Sequence, residues 1–372
     1  MGRGRFGVAL VQGLAWVAVA VPVRAQSANG VEIRLTGRLQ YQFNTTSVDE
    51  ADLGGPIAAS TFETRRVRLG VNLEFAEWLT ALIEPEYALA RLQLRQAWVN
   101  LGIDPRFELQ FGQFKKPFSL WQLTSSTVHP LIERAVRIRG LHDVYGVLDE
   151  AGASPLLGRL DDEVVLGEEQ ELLDRMGYDS YDMGAVAHGE IGRFSYTAGV
   201  FNGTGSDTRD NTDGKGITAR ATVQLLEETP LVIGAGVSHQ EIMLDDDAPA
   251  NGTAFEVDAE LGAFRRRGVH ILAEAVTGTN LAVDETFRAA QAMIAWFAPT
   301  RGRIEGVEPL GRVSWGDPND EIDGDEGLLL TPGLNLYFVG RTRLMFNWDV
   351  FVPAGDRFET VSAMRAQAQV AF

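Results

Sequence analysis

Residues 34–43 read Arg34-Leu35-Thr36-Gly37-Arg38-Leu39-Gln40-Tyr41-Gln42-Phe43. Every second position (Leu35, Gly37, Leu39, Tyr41, Phe43) is apolar or small, and the positions between (Arg34, Thr36, Arg38, Gln40, Gln42) are polar. A period of two belongs to an extended strand with one apolar side, because successive side chains of a strand point to opposite faces. The pattern returns downstream. Val67, Leu69, Val71, Leu73 and Phe75 alternate with Arg66, Arg68, Gly70, Asn72 and Glu74, and Phe287, Ala289, Gln291, Met293, Ala295 and Phe297 form a looser apolar row.

Followed to the end of the chain, such segments number about sixteen: 33–45, 62–75, 78–88, 92–102, 106–114, 180–190, 193–203, 215–226, 230–240, 252–264, 268–278, 285–298, 301–315, 326–338, 341–352 and 360–372. Their connections sort by parity. The even-numbered ones are very short, as at Ala76 to Glu77, Ile103 to Pro105, Gly192 and Pro299 to Thr300. Most odd-numbered ones are long: 46–61, 204–214, 241–251, 316–325, 353–359 and an outsized insertion at 115–179. A soluble sandwich, the competing reading, has no reason to sort loop lengths this way. A transmembrane antiparallel β-barrel has short turns at one mouth, longer loops at the other and an even strand number. Aromatic pairs beside the short turns (Phe75 and Trp78, Trp296 and Phe297, Tyr337 and Phe338) suit an interfacial girdle, and the terminal strand ends on Phe372. Lipid cannot satisfy the backbone groups of an open sheet edge, so the sheet should close. A barrel of sixteen strands encloses water, which lets Arg38, Arg66, Arg68, Arg95, Glu74 and Glu86 point inward.

Composition narrows the functional classes. The 372 residues carry 33 Lys and Arg against 51 Asp and Glu, a formal charge of −18. No basic stretch offers the phosphate neutralisation that nucleic-acid binding needs, so no nucleic-acid partner is expected. With no cysteine, disulfides, thiolate metal sites and a cysteine nucleophile are excluded, and five scattered histidines make a histidine-built metal site a poor expectation. Residues 1–25 read as a secretory signal peptide: Arg3 and Arg5, an apolar stretch from Phe6 to about Val21, then Pro22-Val23-Arg24-Ala25 before a cut. Its removal takes three arginines and no acid, moving the charge from −18 to −21. Beyond it no segment approaches the length of a spanning helix. Residues 26–372 are expected to form one barrel domain, with 115–179 as an insertion in it.

Several runs resemble the phosphate-selective porin O and P family: Gly112-Gln113-Phe114-Lys115-Lys116-Pro117-Phe118, the stretch from Glu133 to Val147, Tyr181 to Gly205, Leu330 to Trp348 and the closing Met364 to Phe372. Their order covers most of the chain after the leader. The resemblance implies an outer-membrane channel of sixteen strands, a homotrimer, whose third external loop folds inward and whose basic lining favours small anions, phosphate or polyphosphate. Candidates for that lining are Lys115, Lys116, Arg134, Arg137 and Arg139 on the insertion and Arg38, Arg66, Arg68 and Arg95 on the wall. An arginine in a barrel wall also has an ordinary reading, as the partner of a neighbouring carboxylate. The acid content departs from what an anion channel wants, yet much of it lies in expected external loops, at Asp161 to Glu171, Asp245 to Asp247 and Asp317 to Glu326. Selectivity follows the local field, not the sum over the chain.

Other chemistry is thin. The run from Asn319 to Gly324 resembles the start of a calcium loop, but Leu330 stands where a bidentate Glu is required. No nucleophile elbow, zinc-protease or phosphate-loop motif occurs, so neither an enzyme nor a cofactor is expected. The expected partners are small solutes, outer-membrane lipid and further copies of the chain. A general porin for cations or organic solutes, or a structural or adhesive barrel plugged by 115–179, are the alternatives.

Overall fold

The computed structural model describes residues 26–28, 30–48, 57–88, 91–134, 143–144, 147–148, 173, 176–206, 210–226, 228–245, 248–281, 284–354 and 360–372. The expected leader at 1–25 lies outside the described residues. Sixteen strands form the wall: β1 Val31–Val48, β2 Ile57–Ala76, β3 Leu79–Ala88, β4 Arg91–Asp104, β5 Phe107–Lys115, β6 Tyr181–Ile191, β7 Phe194–Phe201 and β8 Gly216–Leu226 make the first half. The second half is β9 Leu231–Asp245, β10 Ala248–Leu261, β11 Gly268–Asn280, β12 Glu285–Pro299, β13 Gly306–Asp317, β14 Gly327–Tyr337, β15 Arg343–Pro353 and β16 Val361–Ala371. Each is antiparallel to its sequence neighbours, β5 pairs β6 across the insertion, and β16 pairs β1 from Val361↔Val48 to Ala371↔Arg38. The ring therefore has no open edge, as a sheet surrounded by lipid requires. No described helix is long and apolar enough to cross a membrane.

The seam shows why particular residues stand where they do. Gly37 N–H donates to Phe372 O at 3.0 Å and Phe372 N–H to Gly37 O at 3.1 Å. A Cβ at Gly37 would lie 2.5 Å from the Phe372 ring, so the terminal aromatic seats on a position that must lack a side chain. Two-residue turns at Glu77-Trp78 and Pro105-Arg106 close one end. At the other end the parity is looser than expected. Only residues 246–247 separate β9 from β10, because both strands run beyond the 9–11 residues of a typical span and pair out to Asp245↔Ala248. The expected long loop at 241–251 is thus an extended hairpin.

Outward positions carry exposed apolar side chains such as Leu69, Ile83, Phe111, Ile294, Trp315 and Trp348. The row Phe287, Ala289, Gln291, Met293, Ala295, Phe297, which sequence alternation takes as an apolar face like the others, points the other way: all six are at most 4% exposed and face the interior. Trp296 is the exposed member of its pair, while Phe297 and Tyr337 are buried, so only part of the expected aromatic girdle faces outward. Apolar residues on both sides of β12 leave alternation without a sign, and tertiary contact supplies it.

Candidate functional site

What covers the inward apolar face is the insertion itself. After β5 the chain turns into the barrel through a single helical turn, Leu120–Leu123, capped by Ser119, whose hydroxyl accepts the Gln122 N–H at 3.2 Å. Trp121 and Leu131 pack on Leu272, Met293, Ala295 and Leu310 of the wall, and Phe118, Leu173, Met176 and Tyr178 pack on Val276, Phe287 and Ala289. Water leaves both surfaces, and burying an aromatic or aliphatic side chain in this way is worth about 1.5–3 kcal/mol. Polar contacts give the segment its register. Asn335 Nδ2 donates to Pro130 O at 2.8 Å, Ile132 N–H to Asn347 Oδ1 at 2.7 Å, Arg343 Nη2 to His129 O at 2.7 Å and Trp121 N–H to Glu274 Oε2 at 2.9 Å. His129 Nδ1 accepts the Leu131 N–H, and burial together with Arg134, Arg312 and Arg343 holds this imidazole well below its ordinary pKa.

The segment does not fill the lumen. A cavity of about 810 Å³ lies between the segment and the strands β1–β8. Nine cationic side chains line it: Arg38, Arg65, Arg66, Arg68, Arg91, Arg95, Lys115, Arg134 and Arg220; Glu86 and Asp179 are the acids on its surface. Further acids stand behind the cations and fix their geometry. Arg68 reaches both Glu86 and Glu84, Arg95 Nε donates to Glu86 Oε1 at 2.7 Å, and Arg38 Nη2 to Glu84 Oε2 at 3.4 Å. Arg220 bridges Glu256 at 2.6 Å and Asp258 at 2.5 Å. A guanidinium with a carboxylate behind it keeps donors to spare on its other side, because it carries five N–H groups in one plane.

Most of the expected site residues gather here. Arg38, Arg66, Arg68 and Arg95 line the cavity from the wall, each also paired with a carboxylate in the ordinary manner of barrel arginines. Lys115 lines it from the end of β5, with its ammonium on the Gln122 carbonyl and 5.4 Å from the centre of the Tyr181 ring. Arg134 satisfies Trp121 O at 2.9 Å and Thr124 O at 2.7 Å while facing the same space. Lys116 departs from expectation. Its side chain is fully buried, 3.0 Å from Asp182 Oδ2 and hydrogen-bonded to Gly177 O and Gln240 Oε1, so it ties the insertion to the wall behind the cavity. Lys116 stands one residue past the end of β5, where the chain leaves the wall, so strand alternation does not decide which way it points. Arg137 and Arg139 lie outside the described residues.

Several lining residues escape sequence reasoning, among them Arg91 on β4, Arg220 on β8, Arg65 and Tyr181. Arg65 sits on the apolar parity of β2, but the register shifts between Gln40↔Arg66 and Tyr41↔Thr64, and the extra residue of this bulge turns inward. Arg65 then binds Glu133 through two bonds of 2.8 and 3.0 Å, joining the wall to the insertion. Tyr181 accepts from Arg68 Nη1 at 3.2 Å and has Arg95 5.5 Å from its ring centre; nothing in the sequence separates it from other strand aromatics. The acidic run Asn319 to Gly324 brings the Asp320 and Glu321 carboxylates beside Glu285, with Asp320 on Arg288 at 2.8 Å, in a solvated cluster at the long-loop end.

Comparison with known proteins agrees with the geometry. The sequence profile of the phosphate-selective porin O and P family matches residues 33–296. No curated protein matches the chain by sequence. Among solved structures the fold is similar to an anion-selective porin from Comamonas acidovorans, with a TM-score of 0.58 at 13% identity over 92% of this chain and 100% of that one. It is similar also to the outer membrane channel DcaP of Acinetobacter baumannii, with a TM-score of 0.57 at 11% identity over 93% and 99% of the two chains. The trimer form of OmpT from Vibrio cholerae gives 0.55 at 14% identity over 92% and 100%. At these identities the likeness is one of fold.

Proposed function

Because this chain belongs to the phosphate-selective porin O and P family, we propose that it is a passive outer-membrane channel that favours small anions, phosphate or polyphosphate among them. That it is an outer-membrane porin follows from its family and its closed barrel; the preference for anions is the step proposed. The observation that carries it is the local charge: nine cations line the cavity against two acids, in a chain whose formal charge is −18. An anion in that space exchanges part of its water shell for guanidinium and ammonium donors already held in place by Glu84, Glu86 and Glu133. Several weak, adjacent sites permit both entry and exit, which one deep site would not. Diffusion down the solute gradient needs no cofactor.

On this reading the short turns face the periplasm, residues 1–25 are a leader removed on export, and three copies assemble as in the trimer form of OmpT. The deciding experiment is the reversal potential of the purified protein in a planar bilayer under a potassium chloride gradient, repeated with phosphate replacing chloride. Anion-selective steps that phosphate slows are expected. Cation-selective or unselective steps would leave a porin and remove the anion preference. Silence across many insertions would favour a barrel plugged by 115–179.

A further inference from the structure

The rim at the short-turn end is divided by charge. Three consecutive turns, β10–β11, β12–β13 and β14–β15, hold Arg266, Arg267, Arg301, Arg303 and Arg341, all exposed. Turns two strands apart along a sheet are separated by about 10 Å, so the guanidiniums of Arg266, Arg267, Arg301 and Arg303 form one arc, while that of Arg341 turns to Thr127 Oγ1 of the insertion at 3.4 Å. Arg265 locks the arc together. From an αL backbone at φ +57 it donates to the Gly340 carbonyl and, at 2.8 Å, to Glu305 Oε2, tying all three turns. Glu305 is the one acid among the described residues of these turns, and Arg265 already occupies it. The other short turns are balanced or acidic, with Asp104 on Arg106 at 2.9 Å and Glu77, Glu190 and Glu228 exposed.

We propose that this arginine arc is a docking surface for the phosphate groups of anionic phospholipid in the membrane leaflet at the short-turn end. Its position selects lipid over a soluble acidic partner. The turns interleave the arginines with exposed apolar residues, Ile304 at 38% and Val339 at 56%, and Trp296 at 61% stands on the outer wall just above. Apolar side chains beside a tryptophan belt mark the depth of the lipid headgroups, and a forked guanidinium there matches a phosphodiester with two parallel hydrogen bonds. Like charges gathered in one arc repel one another, and a bound anionic headgroup relieves that repulsion. The inference rests on insertion of the barrel in a bilayer and is independent of which solute passes.

The test extracts the full chain in mild detergent from vesicles of equal parts phosphatidylcholine and phosphatidylglycerol and quantifies the lipid that remains bound. Phosphatidylglycerol should be enriched over phosphatidylcholine, and the enrichment should fall with added salt. Each Arg→Gln change in the arc should weaken retention about fivefold, the factor equivalent to about 1 kcal/mol per arginine at an anionic surface. The combined R266Q/R267Q/R301Q/R303Q variant should lose the enrichment while keeping the single-channel conductance that shows an assembled barrel. R106Q/R193Q, in the balanced sector, serves as the control and should retain it. Equal retention of the two lipids, or enrichment that survives in the combined variant, overturns the proposal. Displacement of the lipid by soluble polyglutamate at matched charge would reassign the arc to an acidic polypeptide.

Discussion

The two halves of the lumen wall obey the same alternation and end in opposite environments. On β1–β5 the inward positions are Arg38, Gln40, Gln42, Arg66, Arg68, Glu84, Glu86 and Arg95, a polar and charged set, of which Arg38, Arg66, Arg68, Glu86 and Arg95 line the cavity while Arg38 and Gln40 also hydrogen-bond Ser125 and Ser126 of the insertion. On β11–β13 they include Leu272, Val276, Phe287, Met293 and Leu310, and the folded insertion lies against them. A barrel interior is therefore two materials, an aqueous cavity and a hydrophobic core, divided by one segment of chain. The insertion is anchored by apolar burial on one side and presents cations on the other, through Lys115, Arg134 and the Glu133 contact to Arg65. The same segment thus supplies both an apolar contact to the wall and part of the cationic lining of the cavity.

The bluntest way to break this division is to delete residues 119–175. Conductance should rise several-fold, since the lumen of a sixteen-stranded wall is wide once nothing fills it; unchanged conductance would mean that the segment does not limit the pore. Next comes the contrast within the lysine pair. Lys116→Glu should cost about 3–5 kcal/mol and be seen as loss of assembled, heat-modifiable barrel, because it leaves Asp182 buried beside a like charge. Trp121→Ala should loosen the insertion by a comparable ~3–5 kcal/mol, appearing as rapid current fluctuation in an intact barrel. Lys115→Glu gives up the contact with the Gln122 carbonyl but breaks no buried ion pair, and should lower the anion-to-cation permeability ratio about tenfold, as a change of about 1.4 kcal/mol in the ion's path would. If Lys116→Glu moved selectivity and Lys115→Glu did not, their assignments would exchange.

The smallest effect is expected from pH. Bound in the fold, the His129 imidazole is held neutral by burial and by Arg134, Arg312 and Arg343, whereas once the segment is released it titrates near 6.5. The released state therefore binds more protons as pH falls through about 6.5, and anchoring weakens on the acid side. Current fluctuation should increase between pH 7.5 and 5.5 by a small factor, read from single-channel traces, and His129→Gln should flatten the dependence.

Much of the fold was legible because closure in a membrane demands regular alternation. The segment expected at 285–298 is Glu285–Pro299, and that at 33–45 is the core of Val31–Val48. In the sequence the hairpin between β9 and β10 reads as a loop because Asp245-Asp246-Asp247 looks like one, although pairing needs only backbone groups. The site was legible in part. Arg38, Arg66, Arg68 and Arg95 follow from parity, but parity fails at a bulge, which hid Arg65, and it has no bearing on where a chain leaves the wall, which hid the burial of Lys116.

By itself, then, the sequence determined the number of strands, their antiparallel order and the need to close, since these depend on short-range periodicity and on the absence of hydrogen-bond partners in lipid. Tertiary structure alone decided which inward residues meet water and which meet the insertion, and hence where the cationic lining lies. That choice is made by contacts between residues far apart in the chain, such as Trp121 with Leu272 or Arg65 with Glu133. A local pattern of apolar and polar residues records that a face is to be covered, but not by what.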